Sequence, residues 1–98
     1  MFIITITVSD AISAEQYESL FSGHAKWFRH YFQTGIFVVV GPYADRERSG
    51  VIIANVESLE ALTTILKEDP FYPDLATYEV RPFIAKMIAE NLHQLQQG

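Results

Sequence analysis

From Ile36 to Val40 every residue is apolar, and Gly41-Pro42 closes the run. A strand that is apolar at both alternate sets of positions has to be covered on both faces, so two layers of protein must flank it. Val51 to Val56 makes nearly the same demand. Between the two runs, Tyr43 to Ser49 carries Asp45, Arg46, Glu47 and Arg48 and reads as a solvated connection. The two runs are therefore expected to form a hairpin with a long loop.

The other segments supply elements for a sheet covered on one side. Phe2, Ile4, Ile6 and Val8 alternate with Ile3, Thr5 and Thr7, the period of a strand with one dry and one mixed face. Ser13 followed by Gln16 matches a capping box. Beyond it Tyr17, Leu20, Phe21, His24, Phe28, Tyr31 and Phe32 recur at helical spacing. Gly35 suits a left-handed cap at the end of this helix. Gly23 costs about 1 kcal/mol relative to Ala in a helix interior, so a break or kink just before His24 is expected. Ser58 caps a second helix with Leu59, Leu62, Ile65 and Leu66 on one face, stopping at Asp69-Pro70. Thr77 to Arg81 reads as a fourth strand with Tyr78 and Val80 on one face, limited by Pro82. A last helix is expected over about 83–96, with Ile84, Met87, Ile88, Leu92 and Leu95 on one stripe. The order is β-α-β-β-α-β plus a C-terminal helix: an α+β chain of the ferredoxin-like, split β-α-β kind. Residues 1–98 are expected to form one domain with its core in 2–83.

In such a fold both helices pack on one face of a four-stranded antiparallel sheet, and the other face lacks an intramolecular cover. Either Ile36, Val38 and Val40 or Phe37 and Val39 must point to it. An apolar sheet face of that size exceeds the few hundred Å² that monomers usually expose. A second copy is the simplest lid, and two sheets packed face to face about a two-fold axis give a homodimeric α/β barrel. The alternative is a C-terminal helix folded back across the sheet.

Composition narrows the function classes. A length of 98 residues fits one domain, and 49 % hydrophobic with 19 % charged residues favours a folded chain. A net charge of −5 has the wrong sign for following a phosphate backbone, so no nucleic-acid partner is expected. The absence of Cys removes thiolate nucleophiles, zinc fingers and iron–sulfur ligation. No basic residue precedes the first apolar run and Lys26 is the first positive side chain, so no signal peptide is expected. Ile36 to Gly41 is far too short to span a membrane. A soluble, cytoplasmic protein without a membrane partner is expected.

The three histidines are His24, His30 and His93. His24 and His30 point about 120° apart around a helix and cannot share a metal, and no ligand spacing appears elsewhere. No metal or other cofactor is expected. Asp69 sits between an amphipathic helix and the turn Pro70-Phe71-Tyr72-Pro73, where a partly desolvated carboxylate needs a partner. His24 is the natural candidate. A carboxylate that holds an imidazole fixes its tautomer and tunes it for proton transfer near neutral pH. The same pair could equally be a structural hydrogen bond. Trp27, Phe71 and Tyr72 could line a cleft for an aromatic ligand or be core. Gly41 and Pro42 could offer backbone to a substrate or merely end a strand. Arg81 could bind a substrate carboxylate or form an ion pair with Glu79.

The string His24-Ala-Lys-Trp-Phe, then Gly35, Gly41-Pro42, Asp69-Pro70-Phe71 and Glu79-Val-Arg-Pro-Phe83 resembles the YciI-related (YCII) domain family, in order and spacing, over Phe2 to Phe83. The resemblance implies a ferredoxin-like dimeric α/β barrel with a His–Asp pair in a cleft, mapping onto His24 and Asp69. It also implies proton-transfer or elimination chemistry, including dehydrochlorination, on small aromatic-derived compounds. Many relatives carry an Arg shortly before the His, where this chain has Leu20-Phe21-Ser22-Gly23. Two readings follow: a cofactor-independent lyase or isomerase in which Asp69 orients His24 against a small-molecule substrate, or a non-catalytic dimeric module that holds a small ligand or supports a larger enzyme.

Overall fold

The alternation of the first segment becomes strand β1, Phe2–Val8, in a computed structural model that describes Met1 to Gly98. It is followed by α1 (Ala14–Gln33), β2 (Phe37–Pro42), β3 (Ser49–Ala54), α2 (Leu59–Leu66) and β4 (Ala76–Pro82). The strands form one antiparallel sheet in the order β2-β3-β1-β4. The β-α-β-β-α-β order read from the sequence is thus present: a mixed α+β fold with a four-stranded sheet and two helices. No helix is long and apolar enough to cross a membrane.

One face of the sheet carries Phe2, Ile4, Ile6 and Val8 from β1, Phe37 from β2, Ile52 and Ala54 from β3, and Ala76 from β4, all buried. Trp27 of α1 and Leu62, Ile65 and Leu66 of α2 close over them in a single cluster. Burying these aliphatic and aromatic side chains, at about 1.5–3 kcal/mol each, fixes both helices to the same face. The opposite face carries Ile3 beside Ile53 and Thr5 beside Val51, all half-exposed.

The both-sided strand resolves its conflict with a bulge. Phe37 pairs with Ala54, yet Val39, not Val38, pairs with Ile53. The extra residue resets the alternation, so Phe37 and Val40 face the helices while Val38 and Val39 face away. Neither set of alternate positions read from the sequence is used whole.

Two local expectations are corrected. Gly23 does not break α1, which runs unbroken to Gln33 and is terminated by Gly35 at φ 85°. A Cβ on Gly23 would lie 3.1 Å from Pro70 Cγ, so glycine serves the close approach of the turn after α2. The C-terminal helix expected over 83–96 does not form. Phe83 N–H donates to the Met1 carbonyl at 2.9 Å, extending the strand pairing, and only a 3₁₀ turn at Leu92–Leu95 follows. Its apolar stripe has nothing to pack against, with Ile84 77 % and Met87 94 % exposed. A helix of that length without a packing partner is marginal in water.

Candidate active site

Capping sets the phase of both helices that build the site. Ser13 Oγ accepts from the Gln16 N–H at 3.1 Å and starts α1, whose Tyr17, Leu20, Phe28 and Tyr31 pack against the core beside buried Ala25 and Trp27, while Phe21 and Phe32 of the expected stripe stay exposed. Ser58 Oγ does the same for α2 with the Ala61 N–H, also at 3.1 Å. After Leu66 the chain tightens into a turn. Asp69 N–H donates to the Leu66 carbonyl at 3.1 Å and Tyr72 N–H donates to the Asp69 carbonyl at 2.9 Å. Pro70 prevents the helix from continuing, and the turn rotates the Asp69 side chain inward until the residue is 2 % exposed.

Three donors converge on that carboxylate. His24 Nδ1 lies 2.7 Å from Oδ1, the Tyr78 hydroxyl donates to Oδ2 at 2.6 Å, and the Phe71 backbone N–H donates to Oδ1 at 3.3 Å. A buried carboxylate is tolerable only with such a complete set of partners. Burial, then the hydrogen bond and charge of Asp69, hold the Tyr78 hydroxyl well above its usual range, so it stays a donor.

The imidazole is clamped between rings. Trp27 and Phe28 of α1 lie 5.5 and 5.3 Å from its centroid, and Phe71 meets it at 5.2 Å in a T-shaped contact. With Asp69 as a carboxylate, Nδ1 must carry the hydrogen, and the neutral ring then presents its lone pair at Nε2. Nε2 has no protein partner, while no buried side-chain nitrogen or oxygen in the chain is left unpaired. The free nitrogen therefore reaches solvent.

His24 also lines a cavity of about 630 Å³ between α1 and the β2–β3 hairpin, a size usual for small-molecule sites. The floor is apolar, from Ile6, Val8, Val40 and Ile52, and one wall is Tyr17, Phe21, His24 and Phe28 of α1. The opposite rim is Gly41, Pro42 and Arg46 to Gly50. The arrangement can hold a small apolar body against an imidazole fixed from behind, which is the geometry of general acid–base transfer. No three His, Cys, Asp or Glu side chains come together as a metal-ligand set.

Of the residues singled out from the sequence, His24, Gly41 and Pro42 line the cavity. Asp69 and Phe71 are brought to His24 but lie behind it, out of the lining. Trp27 is buried and its Nε1–H donates to the Ile65 carbonyl at 2.9 Å, a core position that backs the imidazole. Arg81 is not brought to the site: it pairs with Ile3 and points from the opposite face of the sheet. His30 and His93 are exposed and apart from it. Sequence reasoning missed two residues. Tyr78 shares a strand face with Val80 in the sequence, and if that face is the core one its hydroxyl needs a partner, a signal that could have found Asp69. Arg48 reads as one charge in a solvated loop, and nothing local marks its place in the cavity wall.

Residues 1–85 match the YCII-related domain. Among solved structures the fold is similar to 5-chloro-2-hydroxyhydroquinone dehydrochlorinase (TftG) from Burkholderia phenoliruptrix AC1100, in complex with 2,5-dihydroxybenzoquinone. The TM-score is 0.66 at 15 % identity, covering 86 % of this chain and 94 % of that one. No curated protein matches the chain.

Proposed function

The chain belongs to the YCII-related domain family, and on that premise we propose that it is a small-molecule lyase or isomerase working by general acid–base catalysis. His24 Nε2 takes a proton from an activated C–H or O–H of the bound compound and returns it to the product or to a leaving group. Asp69 holds Nδ1–H and stabilises the imidazolium, and Tyr78 and the Phe71 N–H hold Asp69. The observation that carries this reading is the 2.7 Å His24–Asp69 contact on a ring that lines an apolar cavity and whose other nitrogen is unpaired and not buried. Fold similarity to a dehydrochlorinase supports the elimination form of the reaction. Gly41 and Pro42 bound the substrate, and no cofactor takes part.

A homodimer belongs to the same proposal. The half-exposed Ile3, Val39, Val51 and Ile53 on the open sheet face call for a second copy, giving a barrel of two sheets. Arg81 would then lie between subunits.

Chloride release from 5-chloro-2-hydroxyhydroquinone, and binding of 2,5-dihydroxybenzoquinone, test the function. Wild-type protein should release chloride, and His24→Ala should lose about 10²- to 10⁴-fold of the rate with its melting transition intact. Turnover unaffected by His24→Ala would overturn the acid–base role. Tight binding of the quinone without turnover would favour a ligand-holding module.

A further inference from the structure

The cavity that holds His24 also holds the guanidinium of Arg48, which makes no ion pair with a carboxylate. Arg48 is the last residue before β3, and its backbone sits in the left-handed region at φ 55°, where a non-glycine residue is uncommon. Its carbonyl accepts from the Val8 N–H at 2.8 Å, pinning it to the end of β1. Nη1 donates to the Ser9 and Ile12 carbonyls at 2.9 and 3.0 Å, and the guanidinium lies over the Tyr17 ring at 4.7 Å. Tyr17 stacks on Phe71 at 5.8 Å, the ring that also abuts His24. A long, normally mobile side chain is thus held in the same wall as the imidazole.

What it is held for is not visible in the protein itself. No carboxylate is paired with this half-buried cation, although Glu47 lines the same cavity. Nη2 and Nε have no protein acceptor. The rim carries Arg46 and Arg48 against Glu47, an excess of one positive charge in a chain whose net charge is −5. A guanidinium desolvated on one side, stacked on an aromatic ring and left with free N–H donors is arranged to receive a planar oxyanion.

We propose that Arg48 is the anion-recognition residue of the cavity, and that its ligand is a flat ring bearing an oxyanion, a carboxylate or its vinylogous equivalent in a hydroxyquinone. The inference rests on the proposed small-molecule site and names its substrate class. The apolar floor takes the ring, Arg48 takes the charge, and the ring edge is thereby turned to His24. A neutral ligand of the same shape leaves the guanidinium unpaired and loses most of the affinity.

Benzoate and benzamide, equal in shape and different in charge, are the probes. Binding is followed by the Arg48 side-chain Nε–H and His24 ring resonances in NMR and by calorimetry at pH 7. Wild-type protein should bind benzoate at least about tenfold more tightly than benzamide, with a shift of the Arg48 Nε–H on benzoate alone. Arg48→Gln should equalise the two, and Arg48→Lys should restore part of the preference. Equal binding by wild type, or a preference that survives Arg48→Gln, overturns the proposal. Because Arg48 also ties two carbonyls, the wild-type Nε–H shift stands as a readout that needs no variant. His24→Gln should keep the benzoate preference, so a failure of the acid–base reading and a failure of this one give different results.

Discussion

Replacing Asp69 by Asn changes one atom at the point where three donors meet, and its cost can be worked from the contacts. An amide accepts at one end and donates at the other. If its oxygen stays with His24 and Phe71, its NH₂ faces the Tyr78 hydroxyl, whose proton loses its acceptor in a partly buried position. If the oxygen turns to Tyr78, the NH₂ faces His24 Nδ1, which must then accept so that the ring switches to the Nε2–H tautomer, and the Phe71 N–H loses its acceptor. One charge-assisted hydrogen bond is lost in either case, about 1.5–3 kcal/mol, and the others weaken to neutral bonds. The sum is about 2–4 kcal/mol, which in a domain of 98 residues lowers the Tm by roughly 10–30 °C. Thermal melts by circular dichroism measure the loss, and long-range ¹H–¹⁵N correlation of the His24 ring shows which nitrogen carries the hydrogen. A Tm unchanged within about 2 °C, together with an unchanged tautomer, would refute the reasoning.

Alkaline titration tests Tyr78 and Tyr31. Burial and then Glu68, which accepts the Tyr31 hydroxyl at 2.6 Å, push Tyr31 up to about 12, and Tyr78 is raised further. A raised folded-state pKa gives stability that is present below pH 10 and drains away as pH rises through the folded value. Native wild type and Tyr78→Phe should therefore give the same tyrosinate absorbance at pH 11, and a smaller signal in the variant would contradict the burial of that hydroxyl. Gly23→Val adds β-branched bulk 3.1 Å from Pro70 Cγ. It should lower the Tm and weaken the His24–Asp69 contact although valine is the better helix former, and an equal or higher Tm would contradict the close approach.

Local periodicity carried most of the fold. The alternation in β1 names its buried set correctly because one face of that strand is dry and the other mixed. The caps at Ser13 and Ser58 are where side-chain chemistry put them. What was not legible depended on residues distant in sequence. Gly23 reads as a helix breaker until Pro70 is known to lie against it. The bulge at Val38–Val39 depends on what β3 offers opposite. The stripe from Ile84 to Leu95 is a sound amphipathic pattern, yet a pattern makes a helix only when some surface buries it. In the site, the pairing of His24 with Asp69 was legible because a carboxylate in an aromatic turn must find a donor. Tyr78 needed the same argument run from the hydroxyl. Arg48 was not legible at all, since its role follows from carbonyls of the β1–α1 connection.

Acid–base chemistry at this site requires that the imidazole held by Asp69 keep its other nitrogen open to small molecules. Diethyl pyrocarbonate acylates unprotonated, accessible imidazole nitrogens, and peptide mapping by mass spectrometry reads each histidine separately. His24 should be acylated along with the exposed His30 and His93, and 2,5-dihydroxybenzoquinone should protect His24 alone. A His24 that stays unmodified in the folded protein after His30 and His93 have reacted to completion would contradict the claim.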